Sequence, residues 1–412
     1  MRISPTELRR LIPADLLERD KCPFDPPEGL RERRGRGPVQ PLELANGATA
    51  WLVTGIEEAR TVLSDVRFSS DRTRHPAATK ADGAAPDGGD TAEQGRTDGM
   101  FIFMDPPEHT RLRRLLTGQF TVRRMRALEP HIRDIAVEHI EAMRAAGTGA
   151  DLVPSYALPI PSLVICELLG VDYADRAQFQ ERTAVTLDSS APAEDRARVG
   201  LELYAYIQEL VAAKRTRPGD DILSGLIHDT DPPLTDAQLT DMTLVLLGAG
   251  HETTANMLAL SAFVLLENPD QFAALRGDPA LLDHAIEELL RFLSIIQLGV
   301  TRVAAEDLTV AGTRIPAGST VIIATPEANR DSRHWEGPDL LDVRRPRASH
   351  LAFGHGVHQC LGQQLARAEM KAGLGELLNR LPDLRLAVPA EQVPLRDEML
   401  VFGVHSLPVT WS

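Results

Sequence analysis

Ten residues near the C-terminus, Phe353-Gly354-His355-Gly356-Val357-His358-Gln359-Cys360-Leu361-Gly362, constrain this chain more than any other stretch. They place one cysteine behind two glycine-permitted bends, with an aromatic seven residues before it and a glycine two residues after. Leu361, Leu365, Ala368, Ala372 and Leu377 follow at helical spacing, which predicts a helix over 361–378 with Cys360 at its N-terminal edge. A sulfur there meets the helix dipole and unpaired backbone N–H groups, both of which favour the thiolate. A lone cysteine is ordinarily a small buried hydrophobe, and Cys22 and Cys166, which lack such surroundings, are read that way.

A second stretch is as unusual. Thr235 predicts the N-cap of a long apolar helix running to about Leu266. Its middle is Gly248-Ala249-Gly250-His251-Glu252-Thr253-Thr254, and two interior glycines cost about 1 kcal/mol each relative to alanine. Small residues let the helix backbone pass close to a flat cofactor, and Glu252 and Thr253 then offer a carboxylate and a hydroxyl side by side for proton delivery. Taken alone, such a segment is more often close helix packing. His251 is given no catalytic role.

Asn46-Gly47 between the runs 39–44 and 48–53 predicts a hairpin. A second is predicted over 308–323, with turns at Gly312 and at Pro316 to Gly318. Most of the remainder reads as helix. Residues 76–99 are rich in Gly, Ala and Asp and are expected to be mobile. With 412 residues and 43% hydrophobic content the chain can bury a large core, and no linker divides it, so 1–412 is read as a single domain. The net charge of −15 argues against nucleic acid as a partner. Three cysteines with no C-x-x-C pair suit a reducing cytoplasm, and no apolar run at the N-terminus suggests a membrane anchor. Two basic groups stand out against the acidic whole: Arg111, Arg113, Arg114, Arg123, Arg124 and Arg126, then Arg344, Arg345 and Arg347.

The pattern F-x-x-G-x-H-x-C-x-G, carried by Phe353, Gly356, His358, Cys360 and Gly362, resembles the haem-binding loop of the cytochromes P-450. Ala249, Gly250, Glu252, Thr253 and Thr254 resemble the family's A-G-x-[DE]-T-T signature, and His109 with Arg113 its H-x-x-x-R. Glu288 and Arg291 match its E-x-x-R, with Arg345 as the nearest third member, and Ala328-Asn329-Arg330-Asp331 is similar to the stretch ahead of it. The resemblance implies the cytochrome P-450 fold: mainly α with small β-sheets, haem b buried between the long central helix and the cysteine loop. Cys360 is then the axial iron ligand, because a thiolate pushes electron density onto iron and favours O–O cleavage. Phe353, Gly356, Ala249 and Gly250 would shape its surroundings, Gly362 would let the helix start approach the porphyrin, and His109, Arg113, Arg302 and His358 would hold the haem carboxylates. Thr253 and Glu252 would relay protons to oxygen; Glu288, Arg291 and Arg345 would be structural.

The family's layout implies a substrate pocket walled by the loop before Met100, 183–190, 246–250, 295–300 and 400–404. Leu246, Ile295, Ile296, Leu298, Val300, Val401 and Phe402 would make it aliphatic. The function implied is a cytoplasmic, monomeric haem monooxygenase of the actinomycete type that lacks a membrane anchor. It would hydroxylate or epoxidise a bulky hydrophobic molecule: a macrolide, polyketide, terpenoid or foreign compound, often in secondary metabolism. Electrons would come from NAD(P)H through a ferredoxin reductase and a ferredoxin that docks on the basic groups. The alternatives are a peroxide-driven peroxygenase and a catalytically silent haem-thiolate protein that binds a ligand or partner.

Overall fold

The computed structural model describes residues 9–19, 22–71, 98–172, 175, 181–182, 185, 192–347, 349–397, 399 and 401–412. The stretch 76–97, expected to be mobile, lies outside the described residues, as do most of 183–190 and Leu400. The helices are α1 (Glu28–Arg34), α2 (Ile56–Ser64), α3 (Glu108–Thr117), α4 (Val122–Ala146), α5 (Pro159–Leu169), α6 (Ala193–Thr216) and α7 (Ile222–His228). They continue with α8 (Asp236–Leu266), α9 (Pro269–Gly277), α10 (Leu282–Leu293), α11 (Thr325–Ala328) and α12 (Gln363–Arg380).

Helix α8 organises the rest. Thr235 caps it in a full capping box: the Gln238 N–H donates to the Thr235 hydroxyl at 3.1 Å, and the Gln238 side chain accepts from the Thr235 N–H at 3.1 Å. Beyond that turn the helix is apolar on nearly every face, which suits a helix surrounded by protein. α5, α6, α10 and α12 pack against it, and α4 lies along α12. The largest apolar core fills the spaces between them.

Small sheets frame this bundle. β1 (Val39–Glu43) and β2 (Thr49–Val53) form the hairpin at Asn46-Gly47, where Gly47 has φ +77°. They join β8 (Thr320–Ile323), β5 (Val300–Ala304) and β3 (Phe68–Ser69) in the order β1-β2-β8-β5-β3, with β2 and β8 parallel. The region 308–323 divides differently from expectation. β6 (Leu308–Val310) and β7 (Thr313–Ile315) make their own hairpin over Ala311-Gly312, while β8 leaves to pair with β2 and β5. Every residue of β8 is buried, so it needs strands on both sides rather than a place at the end of a hairpin. β4 (Gly149–Asp151), β10 (Pro408–Thr410) and β9 (Arg385–Leu386) form a third sheet. No helix among the described residues is long and apolar enough to cross a membrane.

Glu288 and Arg291 lie on α10 and form a bidentate pair at 2.7 and 2.8 Å, both about 1% exposed. Arg345 adds a third charge, its Nε 3.0 Å from Glu288. The remaining guanidinium donors of Arg291 reach the carbonyls of Asn329 (2.9 Å), Pro338 (2.8 Å) and Leu340 (3.2 Å). The triad therefore ties α10 to the chain that leads into the cysteine loop.

Candidate active site

The cysteine loop closes on itself: the Cys360 N–H donates to the Phe353 carbonyl at 2.8 Å. Gly354 and Gly356 both adopt left-handed φ, +68° and +72°. A side chain at Gly356 would collide with the carbonyl of Leu63, so this glycine seats the loop on α2 and does not line the cavity. α12 begins at Gln363, two residues later than the apolar period predicts, so Cys360 precedes the helix by a turn. The Gly362 N–H still reaches the sulfur, and Arg113 and Arg367 lie near enough to favour the thiolate. Burial outweighs them and pushes the thiol up from its ordinary value. The Gly362 N–H thus favours the thiolate, as the position ahead of the helix implies, while burial acts against it.

Four further groups converge from three elements. His109 and Arg113 share a face of α3, Arg302 projects from β5 and His358 precedes the cysteine. The His109 and His358 rings lie 3.9 Å apart. Burial and then the crowding of positive neighbours push His109 down to about 4 and His358 to about 3, while burial, offset in part by Asp105, lowers Arg302 to about 10. Neither ring nitrogen of His109 has a partner although the residue is buried. Arg113 also donates to the Gln359 carbonyl and so braces the cysteine loop.

These groups face one cavity of about 370 Å³, which Cys360, Phe353, Ala249, Gly250 and Thr253 also line. The Thr253 hydroxyl donates to the Ala249 carbonyl at 2.7 Å, leaving its lone pairs free to accept from the cavity. Glu252 does not line the cavity. Its carboxylate is ion-paired with Arg396, which also reaches Asn256 at 3.3 Å, on another face of α8. His251 is buried away from the cavity as well.

Leu246, Ile295, Ile296 and Val300 line the cavity; Leu298, Val401 and Phe402 do not. Leu298 points into the apolar cluster of Leu16, Leu30, Leu42 and Leu52. Val401 pairs with Ile296 as an isolated bridge behind the wall. Phe402 is stacked under Arg19, whose guanidinium lies 3.6 Å from the ring centroid while bonding Gln297 (2.7 Å) and Asp397 (3.0 Å). Phe101, Ile102, Phe103 and Val245 supply walls that strand and helix periodicity did not single out.

The Cytochrome P450 family model matches residues 202–412, which include α8, the Glu288–Arg291 pair and the cysteine loop. Cytochrome P450-SU2 of Streptomyces griseolus is 49% identical over 393 residues, covering 95% of this chain and 94% of the relative. Vitamin D3 dihydroxylase of the same organism is 42% identical over 395 residues, with 95% of each chain covered. The crystal structure of Rif16 in complex with R-L superposes with a TM-score of 0.86 at 53% identity, covering 97% of this chain and all of that one.

The chain belongs to the cytochrome P450 family.

This P450 is a haem monooxygenase of the actinomycete type. Haem is a flat iron porphyrin bearing two carboxylates, and the cavity residues fit it. A cysteine sulfur, the orphaned ring nitrogens of His109 and the guanidinium groups of Arg113 and Arg302 all face the same space. A side chain built at Gly362 would meet no protein atom within 4 Å, so the loop leaves room beside the sulfur.

Two residues of this P450 that the motifs did not single out pair with or carry acidic groups near the site. Arg396 holds Glu252, and Glu369 on α12 lines the cavity, buried and bonded by the Thr254 hydroxyl. Burial pushes Glu369 up to about 8. The unfolded chain loses this proton near 4.5, the folded chain near 8, so the folded state binds the extra proton between those values. Stability therefore falls as pH rises through that window, by up to about 1.4 kcal/mol per pH unit. Glu369→Gln is expected to flatten this slope in denaturant unfolding measured from pH 5 to 8. An unaltered slope would show that Glu369 is already ionised in the folded protein.

Proposed function

We propose that this P450 inserts one oxygen atom of O₂ into a bulky hydrophobic small molecule, by hydroxylation or epoxidation, with Cys360 as the axial ligand of haem b. The observation that carries this reading is the meeting of Cys360, four carboxylate-binding groups and Thr253 in one cavity. When bound, haem supplies the reductive activation of O₂. His109, Arg113, Arg302 and His358 hold its carboxylates, and Phe353 lines the cavity beside the cysteine. The apolar walls from Phe101 to Phe103 and at Leu246, Ile295 and Ile296 exclude water and orient the substrate.

The chain's part in proton handling centres on the Thr253 oxygen. Its hydrogen is committed to Ala249, so it accepts a hydrogen bond from a protonated species in the cavity and keeps that proton in place. Glu252, paired with Arg396, stands behind it as the reserve carboxylate and reaches the cavity side only on leaving Arg396. Thr253→Ala is expected to retain haem and consume NAD(P)H, while most oxygen leaves as hydrogen peroxide and product per O₂ falls roughly ten-fold or more. Full coupling in that variant would contradict the role.

A macrolide, polyketide, terpenoid or drug-like foreign compound suits the walls, and the similarity to Vitamin D3 dihydroxylase supports a large apolar substrate. Electrons come from NAD(P)H through a ferredoxin reductase and a ferredoxin in the cytoplasm. Arg114, Arg123 and Arg126 are exposed, whereas Arg113 and Arg345 are occupied within the protein. Reversing the charges of Arg124 and Arg126 should slow reduction by ferredoxin about ten-fold at low salt, and less at high salt. An unchanged rate would move the docking face elsewhere. Product formation with ferredoxin and NAD(P)H, compared with peroxide alone, separates the monooxygenase from a peroxygenase; product from neither marks a silent binding protein.

A further inference from the structure

Among the buried polar atoms without a partner, one lies in the cavity wall and belongs to none of the family motifs. The hydroxyl of Ser70 is buried, has no hydrogen-bond partner, and lines the same cavity as His109, Arg113, Arg302 and His358. Its position follows from the sheet. β3 runs antiparallel to β5 with Phe68 opposite Ala304 and Ser69 opposite Val303, so the next residue along, Ser70, falls level with Arg302.

The neighbouring carboxylate does not satisfy it. Asp105 accepts the Ser69 hydroxyl on one oxygen and the Ser70 N–H, at 2.7 Å, on the other. Its backbone carbonyl accepts the His109 N–H at 3.1 Å, at the start of α3. Asp105 thus fixes the backbone of Ser70 and the entry of α3 together, and its bonds go to the Ser69 hydroxyl and two backbone N–H groups rather than to the Ser70 hydroxyl. The same cavity wall presents the guanidinium donors of Arg302 and Arg113 and the unpartnered ring of His109, which as a neutral imidazole brings one N–H. These donors outnumber the single acceptor nitrogen that a neutral His109 can offer, and a partner that serves several of them at once must carry more than one oxygen.

We propose that Ser70 donates its hydroxyl to a haem carboxylate beside His109 and Arg302, with Asp105 as the positioning residue that aims it. The inference rests on the haem-carboxylate reading of His109 and Arg302. Buried hydroxyls without partners also occur at Ser162 and Ser261, but neither lines the cavity, so the lack of a partner is not by itself the argument.

The test is the rate at which the purified holoprotein loses haem to an excess of apomyoglobin, followed by absorbance, together with the haem reduction potential. A hydrogen bond to a charged group sets the expected scale. Ser70→Ala should lose haem about ten-fold faster and Ser70→Thr, which keeps the hydroxyl, close to the native rate. Ser261→Ala should not differ from the native protein. Asp105→Asn should accelerate loss by a few-fold, since it frees the Ser70 backbone. Equal rates and potentials for Ser70→Ala and the native protein would overturn the proposal, as would Ser70→Thr behaving like Ser70→Ala. Should the alanine chain fail to fold, Ser70→Cys, of similar size and a weak donor, is read in the same way. Arg302→Gln separates the two readings. Faster loss in Arg302→Gln with none in Ser70→Ala rejects Ser70 alone, whereas native rates in both reject the carboxylate cradle.

Discussion

Cys360→Ser is expected to abolish the long-wavelength Soret band of the reduced, carbon-monoxide-bound protein and to lower ferredoxin-driven product formation by more than about a hundred-fold. The exchange is nearly isosteric, so the loop should keep its shape: the Cys360 N–H still reaches the Phe353 carbonyl and the two left-handed glycines are untouched. What changes is the atom offered to iron. In this chain burial pushes the thiol up, and the Gly362 N–H, Arg113 and Arg367 offset that only in part. Haem iron bound at this site would favour the Cys360 thiolate further, as metals do for coordinating thiols. A serine hydroxyl is far weaker as an acid and donates less electron density. The reduced, carbon-monoxide-bound spectrum and turnover with ferredoxin and NAD(P)H are the measurements. A variant that keeps both the band and the activity would remove Cys360 from the iron, and attention would pass to Cys22 and Cys166, which are expected to tolerate serine.

Arg291→Ala is expected to prevent accumulation of folded, haem-loaded protein. Arg291 is buried and uses its guanidinium on both oxygens of Glu288 and on three carbonyls. Alanine would strand the Glu288 carboxylate in the interior with Arg345 and the Asp342 N–H beside it, and would take a donor from the Asn329 and Pro338 carbonyls. Breaking a buried pair in this way costs about 3–5 kcal/mol, against a total stability of about 5–15 kcal/mol. Arg345→Ala should cost less, about 1 kcal/mol, because its side chain lies nearer solvent and Glu288 keeps its bidentate partner. Soluble yield, haem content and the denaturant midpoint read out both variants. A stable, haem-replete Arg291→Ala protein would mean that the carbonyls are satisfied by other groups.

Features held together by near neighbours were legible from residue order. The capping box at Thr235 and Gln238, the hairpin at Asn46-Gly47 and the bidentate pair at i and i+3 on α10 each depend on groups a few residues apart. The glycine pattern around Cys360 was legible for the same reason: left-handed backbone at Gly354 and Gly356 is a local property. Periodicity also predicted the helix after Cys360, but its start slipped by two residues, since a cap with no hydrogen-bonding side chain leaves no sharp signal.

Other features needed the path of the whole chain. Glu252 and Arg396 are 144 residues apart, and nothing near either residue announces that the carboxylate turns from the cavity to meet a guanidinium. Leu298 and Phe402 look like pocket residues by type, yet the first belongs to the cluster under β1 and β2 and the second lies beneath Arg19. Glu369 reads as an exposed acid on a helix, and only the packing of α12 against α8 buries it beside Thr254. Ser70 acquires its place from the register of β3 against β5 and from a carboxylate 35 residues away. By itself the sequence determined the cysteine loop, the capped central helix and the i, i+3 charge pair on α10, because short-range sterics and hydrogen bonds act there. The tertiary structure alone decided which acids face the cavity and which side chains wall it, because burial and charge pairing depend on segments that meet only after the chain has folded.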